Sequence, residues 1–145
     1  MRALIQNLPT LVFVAGVGQL ALAAASLAIP RVMKWNQETA KLRPLTRQVF
    51  WTYALYIWAI NLSFGFVSLR PDWLVDRSPL AGCVTGFIAA YWVGRLLIQF
   101  CYFDRSDAPA GLHVRLAEVA LVCLFCYLSL VYSAACLLNL GVIAS

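Results

Sequence analysis

Residues 80–102 read LAGCVTGFIAAYWVGRLLIQFCY, and this stretch decides the fold. It carries a single charge, Arg95, and no proline. As a helix rising 1.5 Å per residue it is about 34 Å long, enough to cross the roughly 30 Å hydrocarbon core of a bilayer. Leu8–Ile29, Val49–Leu69 and Leu116–Leu140 are apolar runs of the same order. Four such runs predict an all-α integral membrane bundle of four transmembrane helices. Short loops make neighbours antiparallel, in a single transmembrane domain spanning 1–145.

Composition agrees. Of 145 residues, 63% are hydrophobic and 12% charged. Soluble domains hold about 45–50% apolar and about 25% charged residues. No space is left for a separate soluble domain, and the longest polar stretch, Pro30–Gln48, reads as a loop. Arg2 and Ala23-Ala24-Ala25 have some features of a secretory signal, but the first run exceeds a usual signal core, so a retained helix is expected.

The net charge of +5 does not point to nucleic acid, because the basic residues lie at the ends of the apolar runs. Arg31, Lys34, Lys41, Arg43 and Arg47 fall in loop 30–48, and Arg105 and Arg115 in loop 103–115. The opposite side holds Arg2, Arg70 and Arg77. Basic residues favour the cytoplasmic side, which predicts both termini outside, in a bacterial-type inner membrane.

Local signals mark the boundaries. Ser78-Pro79 reads as an N-cap followed by proline at the first helical position. Pro30 is expected to end the first helix, and Pro44 to separate the basic loop from the second. Val32, Trp35 and Leu42 recur at helical spacing between basic residues, as in a short helix lying on the inner leaflet. An ordinary basic loop drawn to anionic lipid explains the pattern equally well. Trp35 and Trp51 would anchor the inner interface and Trp73 the outer one.

The third run carries two stripes. Gly82, Gly86, Ala90 and Gly94 follow at four-residue steps, a ridge that lets another helix approach closely. That neighbour could belong to the same chain or to a second protomer. Beside the ridge lie Tyr91, Arg95 and Gln99, with Tyr102 close by. An arginine in a span needs a partner, water or a path to the headgroups. Three readings stay open for Arg95: snorkelling to lipid phosphate, a structural pair with Glu118, or an anchor for an anionic ligand.

On the fourth run Glu118, Val122, Cys126, Ser129, Ser133 and Cys136 share a face, and on the second run Tyr53, Ile57, Asn61, Gly65 and Ser68 do. Both suit packing, with Asn61 seeking an acceptor inside the bundle. The five cysteines all lie in apolar runs, where they act as small apolar residues. His113, the single histidine, is expected in a loop, and no Cys/His spacing suggests zinc.

Cys123-Leu-Phe-Cys126 resembles the CxxC in the last bundle helix of the vitamin K epoxide reductase family. That family uses a second cysteine pair in a loop, which this chain lacks. Gly94-Arg95 followed by Tyr102, a polar loop and a last helix is similar to the microsomal glutathione transferase and leukotriene synthase family. That resemblance implies a trimer in which Arg95 and Tyr102 bind glutathione. The family's Arg…Asn…Glu signature would fall at Arg47–Tyr53, where neither Asn nor Glu occurs. Arg47–Tyr56, and Cys83-Val-Thr-Gly-Phe-Ile through Tyr102-Phe-Asp104, resemble small bacterial four-helix membrane proteins, a likeness that implies no activity.

The expected role is a non-catalytic membrane component that self-associates or packs with a larger membrane partner. The alternative is an enzyme acting on a lipophilic substrate, with an anionic or thiol cofactor near Arg95. A small channel or transporter is the third reading.

Overall fold

The computed structural model describes residues 2–103 and 111–143, so Arg105 lies outside the described residues, as do the side chains of Arg2 and His113. Over the described residues the chain is all-helical. Helix α1 (Arg2–Ser26) leads into two short helices, α2 (Ile29–Val32) and α3 (Trp35–Ala40). Then come α4 (Pro44–Ser68), a 3₁₀ turn (Pro71–Trp73), α5 (Pro79–Cys101) and α6 (Leu112–Asn139). Four segments are long and apolar enough to cross a membrane, the first running through α2 to Val32.

Several boundaries depart from expectation, each for a local reason. Pro30 does not end α1, which stops at Ser26. Its ring sits in the first turn of α2, where the missing N–H has no partner to lose. Helix α4 starts at Pro44 rather than Val49, because Thr46, Arg47 and Gln48 make its first turns polar. Helix α6 starts at Leu112, which places His113 in a helical turn rather than a loop. The α5 start is as expected, with Ser78 Oγ accepting the Ala81 N–H at 3.1 Å.

The helices form two hairpins, α1 with α4 and α5 with α6, and α1 also packs on α6. Helices α4 and α5 follow each other in the chain, yet their backbones approach little. Aromatic rings span that gap, with Phe64 meeting Phe87 and Tyr91 edge-on at 5.8 and 5.3 Å. The expected antiparallel neighbours therefore meet closely within each hairpin and loosely between them.

Within the first hairpin, glycines set the distance. A Cβ added at Gly16 would lie 2.9 Å from Ser68 Cβ and 3.0 Å from the Gly65 carbonyl oxygen. In the second hairpin the buried seam of α6 is Phe125, Leu128, Tyr132, Ala135 and Asn139, at alternating steps of three and four. It packs on Ile88, Ala89 and Trp92 of α5, with Trp92 and Phe125 ring centroids 5.2 Å apart. The weakly polar face expected to pack lies to one side of this seam: Ser129 is buried, Ser133 half-buried and Cys126 exposed.

Polar side chains join the hairpins. The Ser68 hydroxyl donates to Phe64 O at 2.7 Å and lies 2.6 Å from the Tyr132 hydroxyl. Since Ser68 has one proton, Tyr132 is the donor in that contact. Tyr132 in turn accepts from Gln19 Nε2. The chain therefore runs Gln19, Tyr132, Ser68, Phe64 carbonyl, through α1, α6 and α4, and all three side chains are fully buried. Gln19 Oε1 has no protein partner among the described residues.

Asn139 does comparable work two turns further on, at the last residue of α6. Its Nδ2 donates to Leu74 O at 2.8 Å and to Thr85 Oγ1 at 3.3 Å, and its Oδ1 accepts the Arg77 N–H at 3.1 Å. This clamps the α4–α5 loop, including Arg77 at φ 61. Asp76 Oδ1 accepts the Ser78 N–H at 2.8 Å. The Ser78 hydroxyl, and then its N–H, hold the Asp76 carboxyl below its ordinary value of 3.8.

Two predictions follow from these bonds. Tyr132→Phe should destabilise the bundle by about 1–2 kcal/mol. Gln19→Met, which also removes the orphaned Oε1, should cost less than about 1 kcal/mol; unfolding in mixed micelles measures both. For Asp76 the folded pKa is depressed, so its stabilisation of the turn is full above 3.8 and lost as pH falls through the folded value. Hydrogen exchange at the Ser78 N–H should accelerate below that pH, relative to intrinsic exchange, and Asp76→Asn should abolish the extra acceleration.

Candidate functional site

Arg95 is the one charged residue in the middle of α5 and it is half-buried. Side chains on a helix lean towards its N-terminus by default. Arg95 instead reaches towards the C-terminal end, where its Nη1 donates to Gln99 Oε1 at 3.3 Å. The guanidinium stacks over Phe103 at 5.1 Å and over Phe125 of α6 at 5.2 Å. Arg95 and Gln99 are one turn apart on a face of α5, and Phe103, just past the helix end, supplies the ring.

The structural pair with Glu118 is not formed. The ion pair present among the described residues is Lys41–Glu38 at 2.9 Å. Arg95 packs at the level of Phe125, and Glu118 lies seven residues away along α6, about 10 Å at 1.5 Å per residue. The helices therefore place the two charges at different depths.

The two tyrosines expected at a ligand site lie near the cation but make no hydrogen bond to it. The Tyr91 hydroxyl accepts from Asn61 Nδ2 at 3.2 Å, and its ring contacts Phe64 and Trp92. Tyr91 thus serves the α4–α5 contact. Tyr102 is 81% exposed and pairs with Phe103. The expected set of four divides into Arg95 bonded to Gln99, and two tyrosines whose hydroxyls do not bond the cation. Asn61 finds its acceptors in Ile57 O at 2.9 Å and in Tyr91.

The glycine ridge of α5 also divides. A Cβ at Gly82 would sit 3.4 Å from Leu140 Cδ2, and one at Gly86 3.2 Å from Cys136 Sγ, so both positions face α6 of the same chain. Ala90 is exposed, and a Cβ at Gly94 would meet nothing within 4 Å. Val93 and Leu97 on either side of Gly94 are exposed as well.

Gln19, Tyr132, Thr85 and Asn139 form interhelical bonds and escaped the pattern reading. Gln19 is the one amide in the first apolar run, which was the available signal. The cysteines are all free, and Cys123 and Cys126 are both exposed on the outer surface of α6. Among the described residues no three metal-binding side chains cluster.

Comparison of the chain with known protein families, characterised proteins and solved structures finds no match.

Because Arg95 and Glu118 sit at different depths, Arg95→Gln and Glu118→Gln should change stability additively, within about 0.5 kcal/mol. A double-mutant cycle in micelles measures this; a larger coupling would mean that the two charges do meet.

Proposed function

We propose that the chain is a multi-pass membrane protein of a bacterial-type inner membrane. It acts as a non-catalytic component that packs with copies of itself or with a larger membrane partner. Both termini are outside, and the basic segments 30–48 and 103–115 face the cytoplasm. The four long apolar helices support the first part, and the basic-residue asymmetry supports the orientation.

The observation that carries the packing role is the open half of the α5 ridge. A glycine inside a helix gives up about 1 kcal/mol relative to alanine. Gly82 and Gly86 repay this through contact with α6. Gly94 has no such contact within the chain. A second helix lying against Ala90 and Gly94 would use the close approach they permit, with Val93 and Leu97 packing beside it.

A second reading rests on Arg95. Among the described residues no carboxylate forms an ion pair with it. An anionic headgroup or cofactor would supply the missing charge, with Gln99 beside it, and a membrane enzyme acting on a lipophilic substrate could use such an anchor. Tyr102 and Tyr91 are not placed to assist.

Native mass spectrometry of the gently extracted protein tests the packing role. The wild type should be oligomeric or bound to a partner protein. Gly94→Leu should dissociate it without unfolding the protomer, whereas Gly94→Ala should raise protomer stability by up to about 1 kcal/mol. Gly86→Leu should instead destabilise the protomer by about 1–3 kcal/mol through overpacking against Cys136. A monomeric wild type, or a Gly94→Leu variant with the native assembly, would remove this reading.

A further inference from the structure

We propose that the gap between the two hairpins, at the end of the bundle where α4 begins and α5 ends, is a binding site for an anionic lipid whose head lies on Arg95. It rests on the membrane reading and gives the second reading of Arg95 its ligand class.

The bundle is packed over only part of its length. Buried residues run from Leu8 to Ala23 on α1, Phe64 to Ser68 on α4, Ala81 to Trp92 on α5 and Phe125 to Asn139 on α6. Beyond Ala23 and Trp92, and before Phe64 and Phe125, no described side chain of these four helices is buried.

The inward faces continue into this unpacked part. On α4, Ile57 stands four residues before Asn61 and seven before Phe64, so it shares the face of the two residues that meet Tyr91. On α5, Arg95 stands four residues after Tyr91 and three after Trp92, on the corresponding face. The helices run antiparallel, so Ile57 and Arg95 line the two sides of one gap, a turn beyond the Asn61–Tyr91 bond. Ile57 is nevertheless 53% exposed. Leu121, one turn before Phe125 on the α6 seam, is 38% exposed. The hairpins therefore meet at Asn61 and Tyr91 and stand apart below them.

Arg95 supplies the charge of this gap. Its Nη1 donates to Gln99 Oε1, and the rings of Phe103 and Phe125 flank the guanidinium without offering an acceptor. Among the described residues it forms no ion pair. A cation placed between helices near a membrane boundary is a seat for an anionic lipid head. Because Arg95 leans towards the end of α5, an anion on it would lie at that boundary. From Gln99 back to Tyr91 the gap is about 12 Å long, and Ile57 and Leu121 present apolar surface to it.

The order from the helix end inward is thus cation, then apolar walls. A lipid has the matching order of charged head and acyl chain. A free anion would use the cation and leave the walls uncovered. A zwitterionic lipid would bring a second cation beside Arg95. An anionic lipid satisfies both parts at once.

The test titrates the detergent-extracted full chain with phosphatidylglycerol and with phosphatidylcholine of identical acyl chains, read by native mass spectrometry. Phosphatidylglycerol should be retained in preference, and Arg95→Gln should weaken its retention about tenfold. Ile57→Trp fills the gap without removing the cation and should weaken retention too. Leu55→Trp adds a comparable bulk about 160° round α4 and should not. Equal retention of the two lipids by the wild type overturns the proposal. So does full retention by Ile57→Trp, which reduces the site to a charge. Glycerol 3-phosphate offers the head without the chains. If it displaces the lipid and is itself held through Arg95, the lipid site falls and the second reading of Arg95 stands. If neither anion is retained, both fall. Carbonate washing of the source membranes tests the membrane reading separately, and a chain that washes out sinks that reading and the lipid site together.

Discussion

The Tyr132 hydroxyl is the point at which three of the four long helices meet. It accepts a hydrogen bond from Gln19 of α1 and donates one to Ser68 of α4. In an apolar interior no water competes for these groups, so a partly made network costs more than none. The contact depends on Gly16: only where α1 and α4 nearly touch does Ser68 come within reach of a tyrosine on α6. Hydrogen bonds of this kind in membrane proteins contribute about 0.6 kcal/mol on average and up to about 1.7. Their main effect is on rotation and register. The apolar seams would tolerate several registers, and the Gln19–Tyr132–Ser68 chain selects one.

Helix α5 is held differently and divides along its length. Its N-terminal half is fixed by Thr85, Asn139 and the glycine contacts with α6. Its C-terminal half carries Ala90, Gly94 and Arg95, where the surface is small and cationic and Gly94 has no neighbour within the chain. Internal packing has used the first half of a regular four-residue pattern and left the second half over. Arg95 keeps its charge at the exit of this open half by leaning towards Gln99 and Phe103. The aliphatic stem stays among apolar neighbours while the head moves towards the helix end, as long basic side chains do near a membrane boundary.

The four helices were legible because each is announced by its own residues. Their ends were less so. Pro30 and Pro44 both start helices, and a proline is ambiguous when the turn behind it is polar. The ridge of α5 was visible as a pattern, but spacing alone cannot tell which half meets another helix, since that depends on how α5 lies on α6. The Arg95–Glu118 pair failed for a related reason: counting turns from the loop gave the depth of each helix entry but not the relative shift of the helices. Gln19, Ser68 and Tyr132 could not be joined from the sequence at all. They are separated by 113 and 64 positions, and only the three-helix crossing brings them together.

That separation has a consequence for how the protein is made. Ribosomes add about 5–20 residues each second, so Gln19 is added about 6–23 s before Tyr132. Over the last 64 of those positions, once Ser68 has been added, the first hairpin has all its residues but Gln19 lacks the Tyr132 hydroxyl to which it donates. Biogenesis of this small bundle therefore passes through a half-built stage, which ends only when the last helix arrives.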